Sequence, residues 1–181
     1  MNSQTVSCFY LLLILLGGCS GVSVQDYAGN EPRLVMEEFF SGPLAAHGVV
    51  KDWRGRVIRT FNAAIDASWQ NGTGTLEEDF VFSDGERQRR VWTLRPDGHN
   101  HYLGSAGDVV EEAAIEVAGN SVFLDYRLRI PRGDSSLDLH IDDRMYLVSP
   151  QVIINESSMS WFGLPVGSIQ LVIRREKAGP G

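Results

Sequence analysis

Turn signals recur along this chain about every ten to fifteen residues, and no 3.6-residue apolar period runs for long between them. From Phe39 onward, runs alternating between apolar and polar residues are separated by Gly72-Thr73-Gly74, Asp84-Gly85, Pro96-Asp97-Gly98, Gly119-Asn120, Pro131-Arg132-Gly133-Asp134 and Ser149-Pro150. Spacing of that kind suits strands and leaves no room for long helices. Only Glu111 to Val117 can be written as a helix, and Gly119-Asn120 between two β-branched-rich runs makes a hairpin the better reading. The pattern predicts an all-β, antiparallel, up-and-down sheet of about eight to ten strands. Closing that sheet into a barrel satisfies its two edges without any cross-link. No internal repeat or low-complexity segment interrupts it.

Two hairpins carry enough pattern to assign faces. A two-residue turn at Gly119-Asn120 pairs Val117 with Val122 and Ile115 with Leu124. One face then holds Ile115, Val117, Val122, Leu124, Tyr126, Leu128 and Ile130, and the other Glu116, Ser121, Phe123, Asp125, Arg127 and Arg129. Apart from Phe123, this is the alternation of a sheet with one buried side. At Asp84-Gly85, burial chooses between two registers. A two-residue turn would set Arg87 and Arg89 among phenylalanines. A three-residue loop, Ser83-Asp84-Gly85 with glycine left-handed, gathers Leu76, Phe80, Phe82, Trp92 and Leu94 on one face. The second register is expected.

That register sets Glu78 opposite Arg90 on the apolar face, where a lone charge would cost several kcal/mol and a pair is tolerable. Along Leu137 to Val148, Asp143 shares its parity with Leu137, Leu139, Ile141, Met145 and Leu147. His140 and Asp142 point the other way unless a bulge at Asp142-Asp143 swaps them. Glu78, Arg90 and Asp143 therefore form a candidate polar cluster in a barrel lumen, with Trp92, Phe80 and Tyr126 as apolar lining. One reading is a grip for the head group of an amphipathic ligand, with Arg90 available to a carboxylate or phosphate. The other is a buried ion pair that sets strand register and binds nothing.

The N-terminal segment concerns location. An apolar run from Phe9 to Leu16 leads into Gly17-Gly18-Cys19. That is the layout of a bacterial lipoprotein signal peptide, in which the cysteine is acylated and becomes the mature N-terminus. The run is shorter than the roughly 20 residues needed to span a bilayer. Met1 to Ser7 carries no Lys or Arg, a departure from the usual positive start. Residues 1–18 are thus expected to be a signal, 19–36 a lipidated N-terminus and polar tether, 37–177 the barrel domain and 178–181 a tail. Ser20 stands where an inner-membrane retention signal would place Asp, so the expected address is the outer membrane, facing the periplasm. The expected partner there is the membrane itself, through the lipid on Cys19. With Cys8 in the signal, no thiol remains for a disulfide, metal or nucleophile. The net charge of −7 and two lysines, Lys51 and Lys177, argue against nucleic acid as a partner.

The ordered motifs resemble an uncharacterised family of proteobacterial lipoproteins, a domain of unknown function. They are Phe40-x-Gly42, Asp52-Trp53-x-Gly55-Arg56, Glu78-x-Phe80-x-Phe82-x-Asp84-Gly85-Glu86, Arg90-x-Trp92-x-Leu94, Gly104-x-Ala106-x-Asp108-Val109, Gly119-Asn120, Asp142-Asp143-x-Met145-Tyr146 and Met159-x-x-Phe162-Gly163. The resemblance spans roughly Glu37 to Arg175. It implies a lipocalin-like, calycin-type barrel and genes near those of fatty-acid-modifying enzymes, and it supplies no catalytic residues.

Catalytic and metal signals are weak. His140 with Asp142 and Asp143 lacks a second histidine, so solvated strand positions explain these residues better than a metal site. His99 and His101 flank a turn. No Gly-x-Ser-x-Gly elbow, Walker loop or His-Glu-x-x-His occurs. No cofactor and no metal are expected. The leading expectation is a non-enzymatic, lipid-anchored barrel that binds or carries a small hydrophobic or amphipathic molecule, lipid- or fatty-acid-like. Its candidate lining is Glu78, Arg90, Trp92, Tyr126 and Asp143. Two alternatives stand beside it: an enzyme acting on a lipid or fatty acid in the same cavity, and a structural or assembly lipoprotein with a filled barrel.

Overall fold

The computed structural model describes residues 21–176, so the signal segment, Cys19 and the tail lie outside the described residues. Ten strands follow one another: β1 (Gly42–Asp52), β2 (Val57–Gln70), β3 (Thr73–Phe82), β4 (Arg87–Pro96), β5 (His101–Ser105), β6 (Ala113–Ala118), β7 (Ser121–Arg132), β8 (Ser135–Ser149), β9 (Val152–Trp161) and β10 (Leu164–Arg175). Each is antiparallel to the next, and β10 returns to β1 to close the barrel. This is the all-β, up-and-down architecture expected from the turn spacing. Period-2 burial is clearest in β2, where Phe61, Ala63, Ile65 and Ala67 point inward between exposed neighbours.

Both hairpin registers match the burial argument. Phe80 lies opposite Gln88, Glu78 opposite Arg90 and Leu76 opposite Trp92, with Gly85 at φ +86°. Val117 faces Val122, and Ile115 faces Leu124. Glu111 to Val117 contains no helix; Ala113–Ala118 is a strand. Asp142-Asp143 is not a bulge. β7 and β8 pair without interruption there, so Asp143 points inward and His140 and Asp142 outward. The register shift of β8 lies near its end, between Leu147 and Ser149.

One end of the barrel is plugged. The polarity of Gly21–Arg33 suggests slack tether, but the chain packs onto the barrel from Val24 onward. Ser23 and Asp26 cap a 3-10 turn, Val24–Tyr27, and Val24, Leu34, Met36, Phe39 and Phe40 are buried. Tyr27 packs its ring against Phe123 and Tyr146 on the outer wall, which explains why Phe123 breaks the outward polar pattern. The segment then crosses the β6–β7 turn, where Leu34 N–H donates to the Gly119 carbonyl at 2.8 Å. Glycine is required at 119 twice over: its φ is +54°, and a Cβ would sit 1.8 Å from the Tyr27 carbonyl oxygen. A helical turn, α1 (Met36–Phe39), completes the plug. It is held by Trp69 Nε1 donating to the Phe40 carbonyl and by the Tyr102 hydroxyl donating to Glu37, each at 2.7 Å.

At the opposite end, the Ala106–Glu112 loop between β5 and β6 is pinned against β7. Val109 bridges to Leu128, Val110 N–H donates to the Arg127 carbonyl, and Arg129 N–H donates to the Asp108 carbonyl at 2.7 Å. Among the described residues, no helix is long and apolar enough to cross a membrane.

Candidate functional site

The barrel is not filled. Its lumen holds a cavity of about 330 Å³, which runs from Met36 and Phe40 on the plug to Val50, Arg59, Phe82 and Ile130 at the far mouth. Most of its wall is aliphatic or aromatic. At mid-depth, Trp92 and Tyr126 meet edge to face with ring centroids 5.5 Å apart. Near the mouth, Phe61, Phe80 and Phe82 pack together, and Arg59 lies over the Phe82 ring.

A polar cluster interrupts this wall. β3 supplies Glu78, β4 Arg90, β7 Tyr126, β8 Asp143, and β9 Asn155 and Ser157; all six line the lumen. Glu78, Arg90, Trp92, Tyr126 and Asp143, the five candidates from sequence, therefore share one cavity. Arg90 does not chiefly pair with Glu78, however. Its Nη1 stays 4.0 Å from Glu78 Oε2, while Nε and Nη2 fork onto Asp108 at 3.0 and 2.6 Å. Asp108 sits on the pinned loop, 18 residues along the chain, and its carboxylate takes Nε and Nη2 of the guanidinium. Of the guanidinium nitrogens expected to be open to a ligand, Nη1 alone makes no hydrogen bond.

Asp143 Oδ1 accepts from Asn155 Nδ2 and from the Ser157 hydroxyl, the latter at 2.8 Å. Asn155 and Ser157 went unassigned at the level of sequence, although Ile153, Asn155, Ser157 and Met159 share one parity and carry the signal. On the outer wall, His140 Nε2 lies 3.3 Å from Asp125, and Arg144 forks onto Asp142. Among the described residues, no group of three or more His, Cys, Asp or Glu side chains is placed to hold a metal.

Burial sets the protonation of the cluster. It pushes the Glu78 carboxyl up to about 7; Arg90 pulls it back only in part, and Asp143 and Asp108 push the same way. Burial also raises Asp143, against the hydrogen bonds from Asn155 and Ser157. The Tyr126 hydroxyl is raised by burial and by the Asp143 charge, so it stays protonated. For Arg90, burial opposes the charge, but the Asp108 bond and the Glu78 carboxyl outweigh it. The lumen thus presents a cation clasped by one carboxylate, and two further carboxyls whose hold on a proton is strengthened by burial.

The profile of the family described as "Protein of unknown function (DUF3833)" matches residues 13–175. The chain belongs to the DUF3833 family. No curated protein matches the chain in sequence. Among solved structures, this DUF3833 chain is similar to the S-type phycobiliprotein lyase CPES of Guillardia theta, at 13% identity and a TM-score of 0.51, over 81% of this chain and 95% of that one. It is also similar to a DUF3598-family protein of unknown function from Nostoc punctiforme, at 13% identity and a TM-score of 0.59, over 87% of this chain and 53% of that one. A third is Rv2717c of M. tuberculosis, at 15% identity and a TM-score of 0.56, over 76% and 93% of the two chains. At such identities the likeness establishes a shared lipocalin-like barrel fold and no more.

Proposed function

We propose that this DUF3833 barrel binds a small hydrophobic or amphipathic molecule in its lumen, at a membrane of the bacterial cell envelope. The carrying observation is the cavity of about 330 Å³, plugged at one end, apolar along its length and interrupted at one depth by polar side chains. That combination of apolar walls and a few convergent polar groups is the usual makeup of a small-molecule site, and the volume lies at the lower end of the ordinary range. At the roughly 30 Å³ that a water-sized unit occupies, the space suits a body of about eleven non-hydrogen atoms. The anchor in this proposal is a lipid on Cys19, holding the protein at the outer membrane on its periplasmic side. Its support is the Phe9–Cys19 layout, and the family profile extends across that cysteine.

Two measurements test these parts. Organic extraction of protein purified from membranes, followed by mass spectrometry, should yield about one small apolar molecule per barrel. Filling the lumen with Ala46→Phe should remove it. A wild-type barrel that yields nothing and takes up no apolar fluorescent probe would sink the binding reading. Cys19→Ser should abolish palmitate labelling and release a folded barrel into the soluble fraction; a variant still bound to membranes overturns the anchor.

A second reading is favoured by one observation. A carboxyl held near neutrality beside a cavity suits general acid and base work, and Glu78 is such a group. In that reading the bound lipid or fatty acid is a substrate. Turnover of a co-purifying lipid that disappears in Glu78→Gln, with binding retained, would establish catalysis over carriage.

A further inference from the structure

We propose that the lumen selects a ligand whose head group donates hydrogen bonds, an alcohol or an amine, and turns away carboxylates and phosphates. This rests on the binding reading above and specifies the ligand chemistry of the same cavity.

The polar atoms of the lumen divide into those already engaged by the protein and those that are not. Four side chains that line it carry guanidinium or amide nitrogens, and each is held by a protein carboxylate. Arg59 at the mouth bonds Asp84 at 2.8 Å and Glu86 at 2.5 Å. Gln88 Nε2 donates to Glu86 at 2.5 Å, Arg90 forks onto Asp108, and Asn155 donates to Asp143. The Ser157 hydroxyl also donates to Asp143. What lines the cavity without a protein hydrogen bond is richer in acceptors: both oxygens of Glu78, Oδ2 of Asp143 and the Tyr126 hydroxyl, beside the neutral indole N–H of Trp92 and Arg90 Nη1, which stays 4.0 Å from Glu78. Neither Glu78 nor Asp143 is sealed behind other side chains; both line the open space.

An anionic head entering at this depth would displace its own hydration. In return it would find an indole, a phenol and one open guanidinium nitrogen, Arg90 Nη1, set among three carboxyls, Glu78, Asp108 and Asp143. Like charges at short range and unmatched acceptors both count against it. An alcohol loses little. Its hydroxyl can donate to Glu78 or Asp143 and accept from Tyr126, which satisfies both sides. An ammonium gains more, because it donates three hydrogen bonds into a site with a surplus of carboxylates. Excluding one head group by leaving it unpaired is a stronger means of selection than adding contacts to the other.

Three ten-carbon probes of matched tail test this: decanol, decylamine and decanoate, each below its micelle-forming concentration. They compete at pH 8 for the full-length protein against an apolar fluorescent probe bound in the lumen. Decylamine and decanol should displace the probe at concentrations about tenfold or more below decanoate, equivalent to a tenfold ratio in affinity. Decanoate that competes as well as decanol overturns the head-group assignment and leaves the cavity a binding site. Displacement by none of the three overturns the binding reading, and this one with it. Glu78→Gln combined with Asp143→Asn should bring decylamine down to decanol and raise decanoate. Glu78→Gln alone should move the same ratio in the same direction by less. An unchanged near-ultraviolet circular dichroism spectrum and retained uptake of the apolar fluorescent probe in these variants show that the barrel is intact, and an unchanged ranking there counts against the proposal.

Discussion

Arg129 and Arg90 each face a carboxylate directly across a strand pair, and only Arg129 bonds it. On the outer wall, Arg129 of β7 stands opposite Asp138 of β8, and the two meet through paired contacts at 2.9 and 3.0 Å. In the lumen, Arg90 of β4 stands opposite Glu78 of β3 in the same relation, yet holds it at 4.0 Å and turns to Asp108. The contrast follows from solvent. Outside, the partners keep their water and little depends on the choice: Arg129 takes the carboxylate opposite, while Arg89 takes Glu77 and leaves the opposite Asp79 at 3.9 Å. Inside, each ionised group must be compensated, and a bidentate fork compensates best. Asp108 offers that fork while its side chain stays 36% exposed; Glu78, at 14%, is the carboxylate whose ionisation is hardest to support. The fork therefore goes to Asp108, and Glu78 is left near its midpoint at neutral pH. Strand register determines which residues face each other; access to water determines how much stability depends on which of them bond.

Removing each arginine in turn should separate the two walls most widely. Arg90→Met leaves buried carboxylates without their cation and should destabilise the fold by about 3–5 kcal/mol at pH 8. Denaturant midpoints measure it, and a loss no larger than that of Arg129→Ala would erase the distinction. Glu78 comes next. Its pKa rises from 4.5 to about 7 on folding, so the folded state holds a proton that the unfolded chain has released. Stability is complete below the unfolded value and falls as pH climbs through this window, by about 3 kcal/mol over 2.5 pH units at 1.36 kcal/mol each. Asp143, raised in the same direction, adds to the fall. Glu78→Gln should flatten most of it, so the variant overtakes the wild type at pH 8 but not at pH 4. A wild-type stability that rises between those pH values contradicts a buried, reluctant carboxyl. Asp108→Asn gives up the fork and should cost about 1–2 kcal/mol, with Arg90 moving closer to Glu78. The fall in stability with pH should then shrink; if it steepens, Arg90 has not transferred. Arg129→Ala should leave the melting temperature where it was, and a marked drop would show that the outer pair carries stability after all.

Much of this arrangement was legible in the chain itself. Keeping Arg87 and Arg89 away from Phe80 and Phe82 was enough to choose the three-residue loop, and with it the opposition of Glu78 and Arg90. Parity alone placed Asp143 inside. Asp108 was out of reach because it lies in a loop, where no periodicity says which way a side chain turns; the Val109–Leu128 bridge that positions it is a tertiary event. The plug was hidden for a related reason. Gly21–Arg33 is polar by composition, but its few apolar residues, Val24 among them, find a surface that forms only once the barrel is closed. Phe123 was the visible clue, an aromatic on a face otherwise polar, and its explanation is the Tyr27 ring lying on it.

The closure of the barrel also bears on how such a chain comes to be folded. Of its ten strand pairings, nine join neighbours in sequence and can zip hairpin by hairpin as the chain emerges. The tenth, β1 against β10, is a seam that waits for the last strand. Until Leu164–Arg175 arrives, two unpaired edges stand open and the cavity has no wall on that side. A nascent or truncated molecule is then a sticky, leaky sheet, and the twelve residues of β10 convert it into a vessel.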